Sequence, residues 1–367
     1  MKKLITLFLA LALLITSISF IACKDNTPHA HFYLNGRCAC GEKASEGIKY
    51  ELSYNGRYYV VAGIGECTDE NVVLSHTHEN LFVKEVSPVA FRNCYKVKSI
   101  VLPNTIETIG SYAFSGCSNL EDISLPNSIT EMGDGVFEFC SKLKTVEIPQ
   151  GVKKISGGTF ANCIGLESVS LPDGITSIGN DAFKTCIKLS KVNIPNEIES
   201  IGDYAFSGCA ITSVNIPSTT KTVGKWAFEK CANLESVNFL GGNLVVGIYA
   251  FLECVKLENI SFLEKVGVFT LDKVAFRGCT SLKTVKLPRG LRIIEDSIFR
   301  DCTALTTVVI PDTITNINPY AFYNCSSLDT FTYKGNKSQW ATIKKGGRWE
   351  VGTASYVVYC LDGNISK

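Results

Sequence analysis

Histidine is nearly missing from this chain: 367 residues hold four, and all of them (His29, His31, His76 and His78) fall before residue 87. The long stretch that follows has no imidazole to serve as a general base near neutral pH. Charge is sparse too, with 19% charged residues and a formal net charge of +1. There is no basic field to hold nucleic acid and no acidic tail for a cationic partner. Gly-x-Ser-x-Gly, a phosphate loop ending in Gly-Lys-Ser/Thr, a dinucleotide fingerprint and His-Glu-x-x-His are all absent. Carboxylates such as Glu147, Glu167 and Asp173 are scattered, as on a solvated face. These absences make a hydrolytic enzyme the least favoured function class, and a non-catalytic chain the first.

What the sequence has in quantity is a repeat. A phenylalanine followed three residues later by cysteine occurs eleven times, from Phe91/Cys94 to Phe322/Cys325. Successive phenylalanines are 23 residues apart, except for one step of 22 (Phe206 to Phe228) and one of 25 (Phe251 to Phe276). A period in this range with Leu-x-x-hydrophobic-x-hydrophobic inside it predicts a leucine-rich-repeat solenoid. One coil cannot fold alone, because each ordered residue costs about 1–2 kcal/mol of backbone entropy and each buried apolar side chain returns only about 1.5–3 kcal/mol. Stacking supplies the missing burial.

Within a repeat, Leu166-Glu167-Ser168-Val169-Ser170-Leu171-Pro172 predicts a short strand of a parallel ribbon, its alternate side chains inward and proline ending it. Ile175-Thr176-Ser177-Ile178-Gly179 then turns the chain along the other side, with Gly179 tolerant of φ > 0. Ala182-Phe183-Lys184-Thr185-Cys186 returns it through a short or helical turn. The cysteine column would repeat at the strand spacing of about 4.8 Å, wider than the roughly 3.5–4.5 Å between β-carbons that a disulfide needs. Buried free thiols, each a small hydrophobe with a weak S–H donor, are expected.

The ends read differently. Met1-Lys2-Lys3, an apolar run to Phe20, and Phe20-Ile21-Ala22-Cys23 predict a secretory signal over residues 1–22. The last four resemble a bacterial lipobox, which implies acyl chains on Cys23 and anchoring of an exported protein at the envelope or cell surface. Residues 23–46 read as a polar tether. It carries His29, His31, Cys38 and Cys40, a candidate zinc set alongside a local disulfide or unpaired thiols; no other cofactor is implied. Residues 47–86 alternate like strands and predict an N-terminal cap, with His76 and His78 as surface histidines. Residues 87–330 are the eleven coils, and 331–367, rich in aromatics, a C-terminal cap.

The repeat Ala-Phe-x-x-Cys-x-x-Leu-x-x-Val-x-Ile-Pro-x-x-Ile-x-x-Ile-Gly resembles the BspA-type leucine-rich repeats of bacterial surface proteins, over about Ser87 to Tyr333. The resemblance implies cell-surface adhesion or ligand binding, with a protein or glycan outside the cell as partner, and carries over no catalytic residues. A carbohydrate-binding or scaffold role in the envelope is the alternative, and a monomer is expected.

Two columns are candidates for the binding surface. The outward centre of the ribbon is small and polar and includes Asn193, Asn215 and Asn238, suited to hydrogen bonding an extended polymer. The position two before each repeat phenylalanine places Tyr204, Trp226 and Tyr249 in three consecutive coils. Those rings either pack along the flank or form a contact patch. The irregular steps, and the loss of the strand-ending proline at Phe239-Leu240 and Phe262-Leu263, lie beside them.

Overall fold

The computed structural model describes residues 33–34, 37–38, 43–263 and 266–367. Cys23, His29, His31 and Cys40 lie outside the described residues, and Cys38 is described only as part of the strand Arg37–Cys38. That strand pairs antiparallel with Tyr33–Leu34, so the segment read as a bare tether contains a hairpin. Asn35-Gly36 between the two strands is the sequence signal for one.

The described chain winds into a parallel β-solenoid of about 13 turns. Each coil has three legs, and along most of the array each leg bonds to its counterpart in the next coil. The first is the ribbon: Val169 of Ser168–Ser170 is buried between an outward pair of serines, in register with Thr145–Glu147 and Lys191–Val192. The second is a further parallel ladder of short strands, such as Lys154–Ile155, Ser177–Ile178 and Ser200–Ile201, where the sequence read only a turn. Gly179, which ends one of them, does not use the positive φ that glycine tolerates. A β-carbon there would lie 2.7 Å from the Gly157 nitrogen and 2.9 Å from the Ser156 carbonyl carbon. Glycine is needed because the coils approach too closely for a side chain, not because of its φ range.

The third leg holds the left-handed residues. Asp181 and Thr185 have φ of 55° and 61°, and their N–H groups, with that of Phe183, donate at 2.8 Å to Asp203, Ala205 and Ser207 of the next coil. The intervening N–H groups of Lys184 and Cys186 donate three residues back within the coil. This is a stack of tight turns rather than a helical turn, since no i to i−4 bond is made. Among the described residues the helix is confined to Lys337–Thr342, opened by a capping box of Asn336 and Gln339.

The core is a column. Phenylalanine rings from Phe91 to Phe322 stack coil on coil with centroids 5.1–5.7 Å apart. Beside them the repeat cysteines are free thiols. Each from Cys117 to Cys325 donates its S–H to the carbonyl oxygen of a phenylalanine in the preceding coil, at 2.9–3.4 Å. A valine would pack there but could not meet that carbonyl.

Both ends are closed. Lys49–Leu52 lies antiparallel on Tyr59–Gly63, which pairs with Leu81–Val86 of the second ladder. Asn71–Val73 already belongs to the ribbon, against Ser99–Val101, so the 47–86 segment both caps the array and starts it. At the other end Trp349 and Tyr356 close on Phe331 at 5.7 and 5.1 Å, with Trp340 beside them. Gly363–Ser366 turns back antiparallel on Val357–Cys360.

Candidate functional site

The outward ribbon positions are where the alternation of the strands puts them. Asn215 and Asn238 are directly opposite one another across parallel strands Ser213–Ile216 and Ser236–Phe239. The Asn238 Nδ2 donates to Asn215 Oδ1 at 2.9 Å, and Ser261 Oγ donates to Asn238 Oδ1 at 2.6 Å. Amide–amide bonding fixes which end of each side chain faces outward as donor or acceptor. Asn193 is exposed one coil earlier.

Between Asn193 and Asn215 the ribbon is interrupted. The strands Thr145–Glu147, Ser168–Ser170 and Lys191–Val192 form one sheet, and Ser213–Ile216 begins another. Cys209-Ala210-Ile211 is one residue shorter than the usual Cys-x-x-Leu, which accounts for the 22-residue step, and the break follows it; another break, between Asp122–Ser124 and Thr145–Glu147, falls at a regular 23-residue step. A groove of about 590 Å³ opens at this point, lined by Ser168, Ser170, Lys191, Asn193, Asn215 and Leu240. Hydroxyls and amides dominate it, and its one charge is an ammonium. It can offer several neutral donors and acceptors to a ligand laid across the coils.

Tyr204, Trp226 and Tyr249 are brought together, half-buried, on the turn leg. Their backbones take left-handed φ values of 55°, 55° and 61°, unusual for bulky residues and imposed by the coil-to-coil hydrogen bonds of that leg. Tyr204 stacks on Trp226 at 4.8 Å with 2° between planes, and Trp226 on Tyr249 at 5.1 Å with 14°. The Lys184 ammonium covers the remaining face of Tyr204 at 4.4 Å. Both faces of Tyr204 and Trp226 are used inside the stack, so these two present ring edges rather than the open faces on which a sugar packs.

The irregular coils beside them are irregular for the core. Phe239 and Phe269 are buried, Phe239 stacks on Phe262 at 4.9 Å and meets Phe269 edge-on at 5.5 Å. The strands Gly242–Val246 and Val266–Leu271 lengthen around them through a bulge. The missing prolines and the 25-residue step accommodate this aromatic cluster.

The remaining chemistry candidates disperse. His76 is fully buried, contrary to the surface position expected of it, and burial lowers its pKa. The strand here is only Thr77–His78, so His76 lies outside it. His78 stacks on Tyr50 at 4.6 Å and meets Tyr59 edge-on at 4.7 Å. Among the described residues no group of three or more His, Cys, Asp or Glu is placed to hold a metal ion, and no helix is long and apolar enough to cross a membrane.

Sequence comparison matches residues 84–209, 153–271 and 245–345 to the family described as BspA type leucine-rich repeat region, in six copies. No curated protein matches the chain. Among solved structures, a leucine-rich repeat protein of Bacteroides ovatus is similar at 24% identity, over 84% of this chain and 97% of the other, with a TM-score of 0.49. A leucine-rich cell surface protein of Faecalibacterium prausnitzii is similar at 26% identity over 87% and 98%, TM-score 0.43. The pneumococcal vaccine antigen PcpA is similar at 16% identity over 86% and 98%, TM-score 0.49.

Proposed function

From the premise that the chain belongs to the BspA-type leucine-rich repeat family, we propose that it is an exported, surface-displayed binding protein without a catalytic step. Its ligand is an extracellular protein or glycan held on the outward face of the ribbon. The observation that carries this reading is the polar groove at the ribbon break, where Asn193 and Asn215 face solvent with the serines of the neighbouring coils. Groups of this kind recognise a ligand by direct and water-bridged hydrogen bonds. Tyr204, Trp226 and Tyr249 then act as a stiffening stack on the flank, and Asn238 orients Asn215 from behind.

The test is a screen of the full chain against matrix proteins and glycans, repeated with Asn193→Ala and Asn215→Ala. Each substitution should weaken the ligand found by about 1 kcal/mol, roughly fivefold, with little dependence on salt because the groove is nearly uncharged. Trp226→Ala should lower the melting temperature and leave the affinity per folded molecule unchanged. If the asparagine variants bind as the wild type does, or Trp226→Ala removes binding from a folded protein, the site is on the flank and not on the ribbon.

Anchoring is part of the same proposal, and rests on the sequence Phe20-Ile21-Ala22-Cys23. Labelled palmitate should enter the wild type and be absent from Cys23→Ala. Label that survives the substitution would remove the lipid anchor from this account.

A further inference from the structure

We propose that the groove over Gly158, on the turn leg of the solenoid, receives an arginine side chain from an extended protein segment. The argument begins with a rule that the chain follows three times on this flank. The residue after a repeat phenylalanine is a cation that lies over a tyrosine of the next coil: Arg92 over Tyr112 at 5.9 Å, Lys184 over Tyr204 at 4.4 Å and Arg300 over Tyr320 at 5.9 Å. At the coil of Phe137 both partners are inverted. The residue after the phenylalanine is Glu138, and the tyrosine position of the next coil is Gly158.

The two glycines of this column are not equivalent. A β-carbon on Gly135 would lie 2.3 Å from Cε1 of Tyr112, so Gly135 is small to make room for the Tyr112 ring. Around Gly158 the nearest atom to such a β-carbon is the Gly135 α-carbon, at 3.9 Å. The slot that a ring occupies elsewhere in the column is open here. It forms a groove of about 780 Å³, bounded by Tyr112 at one end, the Asp181–Lys184 pair at the other, and Asp134 and Glu138 along its length.

The neighbours of the slot define its occupant. Lys184 is engaged by Asp181 at 2.8 Å, and Asp134 accepts the Gly157 N–H at 2.9 Å. The Glu138 carboxylate makes no salt bridge or hydrogen bond among the described residues. Burial raises its pKa, the Arg92 charge opposes that and Asp181 adds to it, so a cation delivered here is favoured. A guanidinium is flat enough to enter a gap one coil wide, stacks on an aromatic face, and carries a fork of N–H donors that a carboxylate accepts in pairs. An ammonium supplies the charge without the plane, and a neutral sugar can donate a hydroxyl to Glu138 but leaves its charge uncompensated. The groove is on a different leg of the coil from the ribbon, so the inference stands apart from the ribbon reading.

The experiment measures binding of the full chain to a short fluorescent peptide with a central arginine, and to the same peptide carrying citrulline or lysine. Arginine should bind about tenfold more tightly than either, and added salt should weaken it. Gly158→Tyr, which fills the slot, should abolish the preference. That variant is expected to fold, because Tyr112, Tyr204, Tyr249 and Tyr320 occupy the same column at φ of 55–61°, and its melting temperature checks this. Glu138→Gln, a near-isosteric change, should lower arginine binding by a similar factor, while Asn193→Ala and Asn215→Ala should leave it unchanged. Equal affinity for arginine and citrulline peptides, no binding of either, or undiminished binding by Gly158→Tyr would each overturn the proposal.

Discussion

Between about pH 9 and pH 12 the solenoid should lose its stability steeply and unfold, because its thiols can ionise only in the unfolded chain. Burial raises Cys117, Cys186, Cys231 and Cys325 from 9.0 to about 12. It also pushes Cys140, Cys163, Cys209, Cys254, Cys279 and Cys302 well up. The direction of the effect follows from linkage. Below the unfolded pKa both states keep the proton and the contribution is intact; above it the unfolded chain releases protons that the fold retains, and stability falls as pH rises through the folded value. Each thiol withdraws about 1.4 kcal/mol per pH unit in that window, so the four alone remove about 5 kcal/mol per unit, against a total stability of about 5–15 kcal/mol for an ordinary domain. Circular dichroism as a function of pH measures the transition. Measured against each variant's own stability at pH 7, Cys186→Ala and Cys231→Ala should make the fall with pH shallower, which separates the thiols from tyrosine and lysine titrating in the same range. A signal unchanged to pH 12, or a slope indifferent to those substitutions, would show that the thiols do not govern it. At pH 8 a thiol reagent should find few groups in the native protein and the whole column after denaturation without reductant.

The second large effect is expected from Phe183→Ala. Phe183 is fully buried, stacked between Phe160 at 5.3 Å and Phe206 at 5.1 Å. Removing the ring deletes contacts to two coils and leaves a cavity that the backbone ladders on three legs prevent from collapsing. A loss of about 3–5 kcal/mol is expected. Because each coil touches only its neighbours, the damage should divide the molecule: the urea transition of Phe183→Ala should broaden or split as the two halves unfold separately. Hydrogen exchange would then show protection lost first around coils 160–206 rather than uniformly. A single unshifted transition, or a loss spread evenly over the chain, would contradict the picture of a coil-by-coil core.

How far the sequence reached depends on what each feature is made of. The phenylalanine and cysteine columns were legible because burial and period are written in composition: an apolar residue every coil has nowhere to go but the core. The outward position of Asn193, Asn215 and Asn238 was legible for a similar reason, since a strand alternates strictly. The one-residue shortening at Cys209-Ala210-Ile211 was visible as a 22-residue step, but nothing local says that the ribbon breaks beside it and a groove lies there, because that depends on hydrogen bonds to the previous coil.

The turn leg was the least legible. Tyr112, Asp181, Trp226 and Val274 all sit at left-handed φ, although their side chains oppose it, while Gly179, which looks made for such a turn, does not. What the sequence by itself determined was the period and the inward side of each coil, properties that one repeat states and its neighbours echo. What only the tertiary structure decided was the second ladder, the handedness of each turn residue, the burial of His76, the mutual stacking of Tyr204, Trp226 and Tyr249, and the open slot at Gly158. Those depend on distances between residues 22 to 25 positions apart, and bonds between coils outweigh the preferences of any single residue within one.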